Sequence, residues 1–278
     1  MRRKATQYLL FLRMKKVSLI LLVIVLSSFT GDQFTLIKKI PVKALFITSD
    51  KLGNCYVVTE NNQVTKYNSQ GIEEANFSNK NLGKLKWVDA TNPLKVLLFY
   101  SDFNQITIVD NKLSVRTQVA LRELNILQPL LVCTSVNDGL WIYDQQDFQL
   151  KRLDMDLKLI QESGNIIQIT GLEIKPTQLV EENNYLYLNN PATGILIFDL
   201  FGTYYKTIPI KGISSIQVVG DDLFYYKDTG LTRYNLNTLQ EINIPLPEIA
   251  DSLILTVRIE PPKIYLLKQQ ELNIYSIL

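Results

Sequence analysis

Histidine is absent from the 278 residues, and cysteine occurs only twice. The absence of histidine removes the commonest general base and the commonest metal ligand, so mechanisms of the Ser-His-Asp and Cys-His types are excluded. Two cysteines, Cys55 and Cys133, are too few for a four-ligand zinc site. A disulfide requires Cα atoms within about 7 Å, and the repeats described below place these cysteines two units apart. We therefore predict no disulfide, no metal site and no cofactor.

Clusters of basic residues are also lacking outside the amino terminus. Residues 1–30 hold six of the 29 basic residues and none of the 27 acidic ones, so the remainder has 23 basic and 27 acidic residues and a net charge of −4. Nucleic acids require clustered Lys and Arg side chains that face the phosphates. The composition therefore argues against a nucleic-acid partner.

The only long apolar run lies near the amino terminus, where Lys15 and Lys16 precede the segment Val17–Leu26. Basic residues, an apolar core and then small residues are typical of a secretory signal. The core is shorter than the roughly 20 residues that span a bilayer. We predict a signal peptide over residues 1–31, with Met14 as an alternative start, and export to the periplasm or envelope of a bacterium. The alternative is an uncleaved membrane anchor.

One strand pattern recurs six times, with an aromatic or aliphatic residue followed by Asn, Asp or Ser. The copies are Val64–Asn68, Ile106–Asp110, Leu150–Asp154, Ile195–Asp199, Leu231–Asn235 and Leu272–Ser276. Alternating apolar and polar residues are typical of half-buried strands, and the terminal side chain suits a turn. Two apolar runs precede each copy, and a further strand follows each of the first five. The pattern therefore predicts four antiparallel strands in each repeat unit.

The sixth unit lacks its fourth strand at the carboxyl end, whereas an unassigned strand, Phe34–Val42, precedes the first unit. We expect that strand to complete the last unit and close a ring, which shields exposed strand edges. The prediction is an all-β, six-bladed β-propeller of four-stranded antiparallel blades over residues 32–278. The alternative is a seven-bladed ring with one blade hidden between Gln161 and Lys175.

The first unit carries the most specific motif. The stretch from Asp50 to Gly71 reads DKLGNCYVVTENNQVTKYNSQG and includes Asp50, Gly53, Asn54 and Tyr56. It resembles the NHL-type repeat of six-bladed propellers, whereas the other units share only the strand pattern. The resemblance implies the fold, and relatives of this kind include scaffolds, ligand binders and a few enzymes, so it implies no single activity.

Polar loops on one face of the predicted ring are the candidate binding surface. Loops between second and third strands supply Asn62, Phe103, Asn104, Asn189 and Asn190, which suit either a partner or simply a tight turn. The apolar connection Ile166–Pro176, with Ile167 and Ile169, is predicted to form an extra strand or to cover the channel mouth. Trp87 and Trp141 are predicted to pack in the core.

These patterns favour a monomeric, non-catalytic propeller that holds a protein partner in the cell envelope. One alternative is an enzyme that acts on a glycan or lactone at the channel mouth through carboxylate or metal chemistry. Another alternative is a sensor that binds a small ligand in the channel. No catalytic residue is identified by the sequence.

Overall fold

The computed structural model describes residues 34–228, 230–247 and 253–277, so the predicted signal peptide lies outside the described residues. The described chain forms six four-stranded antiparallel sheets, which are the blades of a β-propeller. This arrangement confirms the predicted fold class. Within the described residues, no helix has the length and apolar character needed to cross a membrane.

The strands follow one another along the chain, with one exception. The first strand, β1 (Phe34–Pro41), belongs to blade 6. Blades 1 to 3 contain β2 (Phe46–Ser49), β3 (Cys55–Val58), β4 (Gln63–Tyr67) and β5 (Glu73–Ser78); β6 (Leu85–Asp89), β7 (Val96–Tyr100), β8 (Gln105–Val109) and β9 (Val115–Ala120); and β10 (Pro129–Thr134), β11 (Leu140–Asp144), β12 (Gln149–Leu153) and β13 (Leu159–Glu162). Blades 4 to 6 contain β14 (Gln178–Glu182), β15 (Tyr185–Asn190), β16 (Gly194–Asp199) and β17 (Tyr204–Ile208); β18 (Ile216–Val219), β19 (Asp222–Lys227), β20 (Gly230–Asn235) and β21 (Glu241–Ile244); and β22 (Ile254–Glu260), β23 (Lys263–Lys268) and β24 (Glu271–Ile277).

The ring closes where β1 pairs with β24 as the outermost strand of blade 6. Phe34 lies opposite Ile277 and Pro41 lies opposite Glu271 in an antiparallel register. Ile40 of β1 is buried in the cluster that joins blades 6 and 1. The prediction that the amino-terminal strand completes the last blade is therefore confirmed.

The hydrophobic core is divided into clusters that lie between neighbouring blades. In one cluster, Tyr56 and Val58 of blade 1 pack with Leu98 and Tyr100 of blade 2. Strands β3, β7 and β11 are buried at every position because both of their faces contact apolar side chains. Each blade is therefore stabilised chiefly by its two neighbours.

The predicted role of the residue that ends each third strand is confirmed in five blades. For example, the carboxylate of Asp110 accepts hydrogen bonds of 2.9 Å from the backbone N–H groups of Lys112 and Ser114. Asn68, Asp154 and Asp199 make the same pair of bonds two and four residues ahead, and Asn235 bonds the N–H groups two and three residues ahead. These side chains satisfy donors that the turn would otherwise leave unpaired.

The motif of the first blade is held together by Asp50, whose side chain is buried. Its carboxylate accepts hydrogen bonds from the backbone N–H groups of Leu52 and Asn54, from Asn54 Nδ2 and from Tyr56 Oη. Gly53 has φ +78°, a conformation that favours glycine. The Asp, Gly and Asn of this motif therefore form one tight turn, and the Tyr56 hydroxyl of β3 binds to it.

Both cysteines are buried and unpaired. Burial raises the pKa of both thiols above its ordinary value, so at neutral pH they remain protonated and poorly nucleophilic.

The apolar connection between blades 3 and 4 does not form an extra strand. Residues Ile166–Thr170 form a short helix, α1, with the Asn165 side chain as its N-cap and Gly171 at its end. Ile166 and Ile174 are buried in the cluster between blades 3 and 4, and Ile167 is packed against it. The seven-bladed alternative is therefore wrong, because the stretch proposed to hide a blade contains only the end of β13 and this helix.

Replacement of Asp154 by Ala should lower the free energy of unfolding by about 1 kcal/mol, because two backbone donors lose their acceptor at a partly exposed turn. Equilibrium denaturation measures this difference. The matched control is Asp156→Ala in the same turn, since the Asp156 side chain is exposed and its own backbone N–H is one of the two donors. Equal effects of the two substitutions would contradict the assigned role of Asp154.

Candidate functional site: the channel and its mouth

The first strands of the blades surround a central channel. A cavity of about 420 Å³ is lined by the first strands, or the turns that follow them, of blades 1, 2, 4, 5 and 6. A second cavity of about 400 Å³ adjoins it and shares Lys51, Thr91 and Glu182. Both open among the turns that join first to second strands. We call this side of the ring, with the turns between third and fourth strands, the turn face, and the opposite side the connector face.

Two glutamine side chains in the channel wall join neighbouring blades. Gln178 of β14 donates to Ile216 O at 2.9 Å and accepts from Ile216 N at 2.7 Å. Gln217 of β18 donates to Ile259 O at 2.7 Å and accepts from Ile259 N at 2.9 Å. Each side-chain amide pairs with the backbone of the first strand in the next blade, as a peptide group of a neighbouring strand would. These polar residues therefore hold the ring together.

The acidic side chains of the wall are also held by hydrogen bonds. Asp89 accepts bonds from Thr91 N through Oδ1 and from the N–H and hydroxyl of Thr134 through Oδ2. Glu260 Oε1 accepts bonds from Ser49 Oγ at 2.7 Å and Gln217 Nε2 at 3.0 Å. Burial raises the pKa of the Glu260 carboxyl above its ordinary value, and the Ser49 bond and the Arg258 charge oppose this shift.

Two basic side chains line the cavity in different ways. Lys51 forms an ion pair with Glu182 at 2.9 Å near the mouth. Arg258 donates from Nη2 to Thr48 Oγ1 at 3.3 Å, and its Nε is buried without a hydrogen-bond partner. Among the described residues, no carboxylate lies within 4 Å of the Arg258 guanidinium. Burial lowers the pKa of Arg258, while Glu260 and Asp89 act through space in the opposite direction.

The apolar part of the wall includes Trp87, which also packs against the core cluster between blades 2 and 3, as the sequence predicts. Trp87 is half-buried, lines the cavity and stacks on Phe46, with ring centroids 6.1 Å apart and an angle of 17° between the ring planes. Val180 and Val218 line the same cavity. The prediction for Trp141 is confirmed, because that side chain is buried between blades 3 and 4.

Exposed apolar side chains are concentrated on the turn face. Among the described residues, the four most exposed large hydrophobic side chains are Phe201 (71%), Leu52 (69%), Leu94 (68%) and Met155 (68%). All four lie in turns of this face, and they belong to four consecutive blades. Contiguous exposed apolar patches are characteristic of interaction surfaces, and the turn face carries the side chains that are candidates for such a surface.

The predicted site residues lie on the connector face or in the strands beneath it, and three of the asparagines serve the fold. Asn62 donates to Gly83 O at 2.7 Å and accepts from Leu85 N at 2.9 Å. The prediction that Asn189 and Asn190 lie in a loop is wrong, because β15 extends to Asn190 and both side chains are buried. Asn189 bonds Thr177 and Ile213, and Asn190 bonds Glu173, Lys175 and Thr193.

The other predicted residues are more accessible. Asn104 donates to Leu127 O at 3.3 Å. Phe103 is 57% exposed and Ile169 is 47% exposed, whereas Ile167 of α1 is partly buried against the cluster between blades 3 and 4. Phe103 and Ile169 therefore remain candidates for contact with a partner on the connector face.

Sequence reasoning missed the channel residues. The first strand of blade 6 extends beyond its apolar run, because the pairing of β22 with β23 continues to Glu260 opposite Lys263. The alternation Val257-Arg258-Ile259-Glu260, with charges between apolar residues, is the signal that indicates a strand with one polar side. Among the described residues, no group of three or more Cys, Asp or Glu side chains is placed to hold a metal ion.

No family model matches the chain, and no curated protein matches it. Solved structures with the same fold include the Pan2 WD40 domain of Neurospora crassa, with a TM-score of 0.63, 9% identity and coverage of 88% of this chain and 95% of that one. A catalytically inactive histidine-to-alanine virginiamycin B lyase from Staphylococcus aureus with quinupristin has a TM-score of 0.55, 15% identity and coverage of 84% and 80%. BBS1N in complex with ARL6DN has a TM-score of 0.54, 11% identity and coverage of 84% and 78%. At these identities the similarity shows the propeller fold alone.

The raised pKa of Glu260 predicts a pH-dependent contribution to stability. At pH values above the ordinary Glu pKa of 4.5, the native state must ionise a carboxyl whose ionisation is opposed by burial. The contribution of Glu260 to stability therefore declines as pH rises through its folded-state pKa. Relative to Glu260→Gln, which does not titrate, the wild type should therefore lose stability between pH 4 and pH 7. Urea denaturation of both proteins across this range measures the difference. A wild type that gains on the variant as pH rises would contradict the prediction.

Proposed function

We propose that the protein is an exported, non-catalytic binding protein that holds a protein partner of the cell envelope on its turn face. The observation that carries the proposal is the concentration of the four most exposed apolar side chains on that face. Phe201 and Leu94 lie in short turns on a rigid sheet scaffold, where contact residues need little ordering on binding. We further propose that the propeller acts as a monomer. We also propose that its first blade is an NHL-like repeat.

Comparison with similar folds supports a binding role without identifying the partner. BBS1N is a propeller-like chain solved in a complex with another protein, ARL6DN. The catalytically inactive virginiamycin B lyase carries a histidine-to-alanine substitution, whereas this chain has no histidine. A lyase mechanism that depends on histidine is therefore closed to it.

The catalytic alternative rests on three carboxylates in the channel wall, those of Asp89, Glu182 and Glu260. Both oxygens of Asp89 accept hydrogen bonds, one oxygen of Glu260 accepts two, and Glu182 is bound to Lys51. These groups are committed to joining blades and turns, so they are poorly placed to exchange protons with a substrate. We therefore favour the binding role.

Site-specific photo-crosslinking in cells tests the partner surface. A photoreactive amino acid at Leu52, Leu94 or Phe201 should form a discrete adduct with a second protein in envelope fractions. Phe103 and Ile169 provide matched exposed positions on the connector face. Adducts from the connector face alone would move the partner surface to that side. Recovery of only the monomer from every position would overturn the proposal.

Export is tested by the mass of the mature protein. Chains recovered from envelope fractions should lack Val17–Leu26, because cleavage follows the apolar core. A mass that includes this segment would contradict cleavage and favour the membrane-anchor alternative. Recovery of the protein from the cytoplasm alone would overturn the proposed location.

A further inference from the structure

We propose that the channel cavity is a binding site for a small monocarboxylate with an apolar body, whose carboxylate binds Arg258 and whose apolar body packs on Trp87. This site goes beyond the proposed partner surface and does not depend on it, because Arg258 and Trp87 lie in the wall of the central channel. The cavity volume of about 420 Å³ falls within the range of roughly 300–1,000 Å³ typical of small-molecule sites.

Arg258 supplies the main argument. A guanidinium carries five N–H donors, and within the described part of the chain the Arg258 side chain makes a single hydrogen bond, the 3.3 Å contact with Thr48. Its Nε is buried and unpartnered. Arg258 is partly buried, and a partly buried cation without an ion pair among the described residues is energetically costly unless a further group satisfies it. The planar fork of donors matches the two oxygens of a carboxylate.

The neighbouring acids do not fulfil this role. Asp89 and Glu260 affect Arg258 only through space, and their oxygens accept hydrogen bonds from Thr134, Ser49 and other donors of the wall. The carboxylates of the wall join blades, and most donors of the guanidinium have no acceptor among the residues that the structure describes. The carboxylate of a bound ligand is the group that supplies acceptors for these donors.

The other residues of the cavity wall determine the shape and charge of the rest of the ligand. Trp87 and Val218 provide an apolar surface, and an aromatic or aliphatic group packs well against an indole ring. The wall holds three carboxylates and two cations, so its electrostatic field opposes ligands with several negative charges. The site therefore favours a single carboxylate over phosphate or a di-acid.

Fluorescence and calorimetry with matched probes test the site on the purified full chain. Trp87 lies in the cavity and Trp141 in the core, so binding should change the emission of Trp87. The probes are 3-phenylpropionate, phenethylamine, which keeps the ring but lacks the carboxylate, and inorganic phosphate. We expect saturable binding of 3-phenylpropionate at concentrations up to about 10 mM and no saturable binding of the other two.

Variants then assign the contacts. Arg258→Gln should weaken 3-phenylpropionate binding at least about tenfold, because charge-assisted hydrogen bonds are lost. Arg258→Lys keeps the charge but loses the fork, and should bind with intermediate affinity. Trp87→Phe should abolish the fluorescence change while calorimetry still detects binding. No saturable binding of 3-phenylpropionate to the wild type, tighter binding of phenethylamine, or undiminished binding by a folded Arg258→Gln protein would each overturn the proposal.

Discussion

Pairing of β1 with β24 is the interaction on which the rest of the structure depends. The apolar clusters lie between blades, so a blade is buried properly only when it has a neighbour on each side. Ile40 of β1 lies in the cluster that joins the last blade to the first, and at the same junction Tyr265 Oη donates to Gly53 O at 2.6 Å. Without the outer strand of blade 6, that junction would lose both edge pairing and apolar contacts.

Assembly of the ring also explains the polar side chains in the channel wall. First strands of neighbouring blades meet at the centre of the ring but belong to different sheets, so their backbones do not pair directly. Gln178 and Gln217 supply the missing donor and acceptor through their side chains. Asp89 and Glu260 make similar links to neighbouring blades. The chemistry of the cavity is therefore largely set by ring assembly, and Arg258 differs because the assembly does not use most of its donors.

The fold was predictable from the sequence because its rules are local and repeated. Asp110 and its counterparts bond backbone groups two to four residues away, so a turn can be inferred from a few residues. The count of strands then required β1 to complete blade 6. The candidate site was less predictable because it depends on contacts between blades. Asn189 has the composition of a turn residue, yet its side chain faces Ile213 of the next connection. Arg258 is recognisable as a channel residue only after the extent of β22 is known.

The long separation between Phe34 and Ile277, which pair in the closed ring, has a consequence for folding kinetics. Contacts between distant parts of a chain form slowly, because loop closure must precede them. Hairpins within the individual blades can form early, whereas the contact that completes the ring awaits synthesis of the last strand. Until then β1 is an unpaired strand with open hydrogen-bonding groups, and the newly made chain is most prone to aggregation during this interval.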